Sequence, residues 1–71
     1  MSSLTGQVVH IERNRGFAFI RNDGMDYFFH FEQFGDANEI PFAELQVGDN
    51  VTFEAVPSER GPRAMRVVVQ R

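Results

Sequence analysis

Cysteine, tryptophan and lysine are all absent from this chain. Without a thiol there is no disulfide framework, no thiolate zinc site and no cysteine nucleophile, although chains this short often need a disulfide or a metal to fold. No stretch approaches the roughly 18 consecutive apolar residues of a membrane span. Met1-Ser2-Ser3 has neither the basic start nor the apolar run of a signal peptide. These absences together suggest a soluble module in a reducing cytoplasm. The length, 71 residues, leaves room for one small domain spanning 1–71. Such a domain buries only roughly 60% of the surface its unfolded chain exposes. With 42% hydrophobic and 24% charged residues, the composition is that of a folded domain and not of a disordered tail.

The chain is rich in one residue type. Eight phenylalanines stand at positions 17, 19, 28, 29, 31, 34, 42 and 53, beside a single tyrosine, Tyr27. A small core does not obviously need so many rings, so their placement becomes the central question. Net charge is −3, which taken alone argues against a nucleic-acid partner. The charges are unevenly distributed, however. Arg13, Arg15 and Arg21 lie near the front and Arg60, Arg63, Arg66 and Arg71 at the back, while every acid except Glu12 lies between Asn22 and Arg60. Two arrangements fit this pattern: scattered surface charge, or one positive face where the fold brings the two ends together.

β-Branched and alternating segments predict five strands. The first runs over Thr5 to Glu12. A turn at Arg13–Gly16 leads to a second, in which Phe17 and Phe19 alternate with Ala18 and Ile20. Asn22-Asp23-Gly24 is a tight-turn signal, and a third strand covers Asp26 to Phe31. A long connection from Glu32 to Gly48 contains Pro41-Phe42-Ala43-Glu44-Leu45, suited to a single helical turn with Pro41 at its first position. A fourth strand from about Asn50 to Val56 puts Val51, Phe53 and Ala55 on one face. A polar loop from Pro57 to Pro62 leads to the last strand, Arg63 to Gln70. Five short strands without a substantial helix imply a small all-β barrel, whose closure also protects the sheet edges.

Strands two and three are apolar on both faces, which requires a covering layer. No helix is long enough to supply one, so one face must meet solvent. Ala18 and Ile20 suit the interior of a small barrel, which turns Phe17 and Phe19 outward. In the third strand His30 is the polar member, so His30 and Phe28 face out while Tyr27 and Phe29 face in. The pattern leaves Phe31, at the strand end, open. A contiguous aromatic platform follows, with Arg15 and Arg21 nearby. Exposed apolar patches of this kind mark binding surfaces. Flat rings beside guanidinium groups suit unstacked nucleobases and phosphates.

Arg15-Gly-Phe-Ala-Phe-Ile20 and Tyr27-Phe-Phe-His-Phe31 resemble the K-G-F-G-F-I and V-F-V-H-F motifs of cold shock domains, in the same order. Gly6-Gln7-Val8, Val51-Thr52-Phe53-Glu54 and Gly61-Pro62-Arg63-Ala64 extend the resemblance over nearly the whole chain. It implies a five-stranded antiparallel Greek-key barrel of the oligonucleotide-binding type that binds single-stranded RNA or DNA. It also implies a binding set of His10, Arg15, Phe17, Phe19, Asp26, Phe28, His30, Phe31, Phe42 and Arg63. Three departures reduce the expected affinity. His10 stands where the family stacks a tryptophan, Gln7 and Val9 stand where it has lysines, and the connection after the third strand is about three residues longer. Ala18, in place of the motif's second glycine, is a mild change.

The expected activity is that of a non-enzymatic RNA chaperone that needs no cofactor. It acts as a monomer or weak dimer and has no membrane or small-molecule partner. A link to stress responses comes from the family alone. The alternative is a protein-interaction module that uses the same hairpin. R-G-F-A-F-I also resembles a motif of the RNA-recognition fold, but there the two motifs come in the other order and helices cover the sheet. His30-Phe31-Glu32 matches the H-x-E of zinc deaminases, yet the cysteines that chemistry requires are missing. His10 and His30 lack the partners of a metal site. Asn50-Val51-Thr52, a glycosylation sequon, falls inside a predicted strand and reads as chance.

Overall fold

The computed structural model describes residues 3–35, 38, 40–59 and 61–70. Five strands are present: β1 (Ser3–Glu12), β2 (Phe17–Asn22), β3 (Met25–His30), β4 (Asn50–Val56) and β5 (Arg63–Gln70). They close into a barrel in the order β1-β2-β3-β5-β4. Among the described residues, every junction is antiparallel except β3–β5, which is parallel. This departs from a uniformly antiparallel barrel, and the cause is parity. Strands that alternate up and down around a ring with an odd number of members must meet one neighbour pointing the same way. The parallel junction holds a single rung, Phe28 opposite Arg63.

The β2–β3 turn forms as its sequence predicts. Asp23 (φ 50°) and Gly24 (φ 79°) both occupy the left-handed region. That is the requirement of a two-residue hairpin turn whose twist matches the flanking strands.

The core consists of Val8, Ala18, Ile20, Tyr27, Phe29, Leu45, Val51, Phe53, Ala64 and Val67. Tyr27 and Phe53 bring their ring centroids to 5.0 Å inside the barrel. Each large side chain buried here contributes roughly 1.5–3 kcal/mol by leaving water. Val51 and Phe53 face inward as the alternation predicts. Ala55 is exposed, beyond an irregularity in the β4–β5 ladder between Thr52 and Glu54. The extra residue falls on β5, where Arg66 takes a left-handed φ of 52°.

A second irregularity lies in β1. Val8 pairs with Ile20, but the next pair is His10 with Phe19, leaving Val9 as an inserted residue. This bulge lies where β1 leaves β4. Beyond Gln7, Val8 exchanges backbone hydrogen bonds with the 48–49 corner, accepting from the Gly48 N–H at 2.8 Å and donating to the Asp49 carbonyl at 3.0 Å. Bulges bend a strand and re-aim the side chains after them.

The connection between β3 and β4 carries two short 3₁₀ turns, Phe31–Gln33 and Phe42–Glu44. Pro41 caps the second turn from an extended conformation (ψ 162°), one place earlier than the sequence suggests. The connection is tied to the free edge of β5. Phe34 bridges to Val67, and the Gly35 N–H donates to the Val67 carbonyl. The Asn38 side chain donates to the same carbonyl and accepts from the Val69 N–H at 2.6 Å. Segment and side chain thus satisfy backbone groups that the one-rung junction leaves without a strand partner.

Candidate nucleic-acid interface

The outer face of the β2–β3 hairpin is built in rungs. Phe17 lies opposite His30, Phe19 opposite Phe28, and Arg21 opposite Asp26. Between them Ala18 and Ile20 pair with Phe29 and Tyr27 on the inner face, where all four are buried. The inward and outward assignments made from alternation therefore hold for both strands. Phe17, Phe19 and Phe28 are half-buried, and none belongs to the core. They cover part of one another's surface, with centroids 5.9 Å (Phe17–Phe19), 5.3 Å (Phe17–Phe28) and 5.7 Å (Phe19–Phe28) apart. Such tilted and edge-on contacts are the favoured geometry of aromatic pairs.

The ring system extends in both directions. His10, aligned with Phe19 across the β1 bulge, lies 6.2 Å from it. At the other end His30 and Phe31 approach to 4.6 Å, and Phe31 is 6.3 Å from Phe42. Phe31, which the alternation left open, is 48% exposed and so belongs to the outer surface. Phe42 is half-buried and also packs against Phe29 and Phe34, joining core and surface. The result is one row of rings, His10–Phe19–Phe28–Phe17–His30–Phe31–Phe42, running from β1 to the long connection.

Arginines and acids edge the row. The Arg63 guanidinium lies over the Phe28 ring, 5.2 Å from its centroid, close enough for a cation–π contact. Phe19, Phe28 and Arg63 line a cleft together with Gly61 and Pro62, two residues that sequence reasoning did not assign to the site. Arg15 is exposed in the β1–β2 turn. Arg21 lies on the platform as expected, but it is engaged: its Nε and Nη2 donate to the two Asp26 carboxylate oxygens at 2.8 and 3.2 Å. These hydrogen bonds, with the charge attraction that accompanies them, hold the Asp26 carboxyl below its usual range and push Arg21 up. Arg66 reaches Glu54 at 3.6 Å, and Arg13 turns towards the long connection. Arg60 and Arg71, counted in the rear basic cluster, lie outside the described residues.

Both imidazoles have a carboxylate neighbour. His10 Nε2 is 2.6 Å from Glu12 Oε2, and His30 Nδ1 is 3.3 Å from Glu32 Oε1. His30 Nδ1 also accepts the Glu32 backbone N–H, capping the first 3₁₀ turn. The surface therefore offers flat apolar faces, imidazoles, carboxylate acceptors and guanidinium groups. Among the described residues, cations and anions meet in pairs around an aromatic centre: Arg21 with Asp26, Arg66 with Glu54, and each imidazole beside a glutamate. Among the described residues there is no cluster of three or more histidine, cysteine or acidic side chains that could hold a metal ion, and no helix long and apolar enough to cross a membrane.

Residues 4–70 match the family model described as the 'Cold-shock' DNA-binding domain. The chain belongs to the cold-shock domain family. It is 40% identical over 68 residues to a cold shock-like protein, CspE, of Bacillus anthracis, covering 93% of this chain and 96% of that one. A cold shock protein 1 of Lactiplantibacillus plantarum is 38% identical over 66 residues, covering 92% and 96%. A cold shock protein CspA of Staphylococcus saprophyticus is 38% identical over 64 residues, covering 89% and 92%. Family membership makes this cold-shock domain a nucleic-acid-binding protein and accounts for its barrel of the oligonucleotide-binding type.

Proposed function

We propose that this cold-shock domain binds single-stranded RNA or DNA by stacking unpaired bases along the row of rings, and acts as an RNA chaperone without catalysis. The observation that carries this reading is the continuity of the row: seven rings on β1, β2, β3 and the connection share one uncovered side of the barrel. Each base stacked on a ring is worth roughly 1–3 kcal/mol by alanine substitution, with little dependence on sequence. Bases inside a duplex present no free face, so binding favours open strands. By mass action, occupation of the open form draws hairpins and duplexes towards it. In this scheme Phe17, Phe19, Phe28, His30, Phe31 and Phe42 stack bases, and His10 stacks one more weakly through its smaller ring. Arg63 and Arg15 meet phosphates or stack, and Asp26, held ionised by Arg21, accepts a hydrogen bond from a base edge.

Titration of labelled oligo-dT, oligo-dU and a duplex of equal length tests the reading. Both single strands are expected to bind more tightly than the duplex, and equal affinity for all three would overturn the proposal. Phe17→Ala and Phe28→Ala are each expected to weaken single-strand binding by roughly 5- to 150-fold, the range of one lost stacking contact. Circular dichroism should show the barrel retained, because neither ring belongs to the core.

A further inference from the structure

Arg13 has no place in the binding set, yet it makes the longest-range side-chain contacts in the neighbourhood of the site. From the β1–β2 turn its Nη1 donates to the Ala43 carbonyl at 2.7 Å and more weakly to the Phe42 carbonyl at 3.4 Å, and its Nη2 donates to the Leu45 carbonyl. These acceptors belong to the second 3₁₀ turn and the residue that closes it. The last carbonyls of a helical turn have no partner within the turn and carry partial negative charge, so a cation placed there both bonds and neutralises them. A guanidinium spreads its donors over two terminal nitrogens in a planar fork and so spans carbonyls spaced along the turn, whereas the three donors of an ammonium radiate from one nitrogen.

The same turn carries Phe42 outward to the row and Leu45 inward to the core. Leu45 is fully buried and fixes one side of the turn. On the exposed side the turn is held by two backbone bonds, Glu44 N–H to the Pro41 carbonyl and Leu45 N–H to the Phe42 carbonyl (both 3.0 Å), and by the Arg13 side chain. We infer that Arg13 is a positioning residue for Phe42: it clamps the long connection to the β1–β2 turn and so sets where the row of rings ends. This rests on the stacking function proposed above. It also means that the Arg13 charge is spent on backbone carbonyls and not on phosphate.

Single-strand affinity of Arg13→Gln, Arg13→Lys, Phe42→Ala and the Arg13→Gln/Phe42→Ala double variant, measured across a salt series, tests the assignment. Arg13→Gln is expected to weaken binding about fivefold, the lower end for one lost stacking contact, with the salt slope unchanged. Phe42→Ala should cost little more in the Arg13→Gln background, because both changes remove the same contact. Arg13→Lys should restore only part of the loss. Full recovery by lysine with a shallower slope for glutamine would make Arg13 a phosphate contact and overturn the inference, as would additive losses or wild-type affinity in Arg13→Gln. Amide exchange at Glu44 and Leu45 gives a readout without nucleic acid: faster exchange in Arg13→Gln is expected, and unchanged exchange would refute the clamp. A wild-type chain that prefers no single strand, with the exchange result as expected, would refute the stacking function and leave the clamp standing as structure alone.

Discussion

Gly16 shows how a single residue supports the ring row. Its φ of +74° lies in the left-handed region, and a Cβ there would stand 2.8 Å from Cδ1 of Phe31. Its carbonyl accepts the Phe31 N–H at 2.7 Å. Glycine is needed twice over, for backbone conformation and for the space beneath a ring. Gly24 has a similar φ, +79°, but open space around the added carbon. Gly24→Ala is therefore expected to cost about 1–2 kcal/mol of backbone strain. Gly16→Ala should cost more, and should also weaken single-strand binding by displacing Phe31. Urea denaturation of both variants, followed by titration, checks the difference; equal losses with unaltered binding would show that the ring accommodates the methyl group. At this scale the sequence was legible where chemistry distinguishes the two faces of a strand. Ala18 and Ile20 against Phe17 and Phe19 is such a case, as is the His30 that sends Phe28 outward. It was not legible for Arg13, whose three acceptors lie about thirty positions away at 42, 43 and 45, in a connection with no periodicity to register it against β1.

The strands and the Asp23-Gly24 turn could be read from alternation and turn chemistry, and the bounds of β4 and β5 follow from them directly. The bulges could not. Strict alternation through Val8-Val9-His10-Ile11 puts His10 on the core side with Val8, and only the inserted Val9 reverses that phase. The family resemblance, not the periodicity, pointed to His10. The connection also conceals a structural role. Leu45 lies among acidic and small residues and looks like surface, but it is fully buried in the barrel with Phe29, Phe53 and Val67. Leu45→Ala is expected to destabilise the domain by about 2–5 kcal/mol, as for core leucines. Val47→Ala, two residues on and 62% exposed, should stay within about 0.5 kcal/mol of wild type. Chemical denaturation of the two variants tests whether the loop belongs to the core.

At the scale of the whole molecule, net charge is a poor guide to the binding surface. Among the described residues, Arg21 is matched by Asp26, Arg66 by Glu54, and Arg13 by three carbonyls, which leaves Arg15 and Arg63 as the described arginines at the platform's edge. Single-strand binding releases counterions with a slope of about −0.7 per phosphate neutralised. Two arginines therefore give an expected slope of about −1.4 in a plot of log affinity against log salt. A slope near −4 would mean that engaged arginines leave their partners on binding. Closure of the barrel was foreseeable from five short strands without a substantial helix; the place of the parallel junction was not, because parity requires at least one such junction without saying where.

That junction has a mechanical consequence. With a single strand rung, Phe28 to Arg63, against full ladders at the other four seams, this edge of β5 relies on other ties: the Phe28 N–H donates to the Pro62 carbonyl, and Phe34, Gly35 and the Asn38 side chain hold Val67 and Val69. The rung is also the base of the cleft that Arg63 roofs over Phe28. The same two residues therefore carry both the one strand rung of this seam and the cation–π contact that walls the cleft.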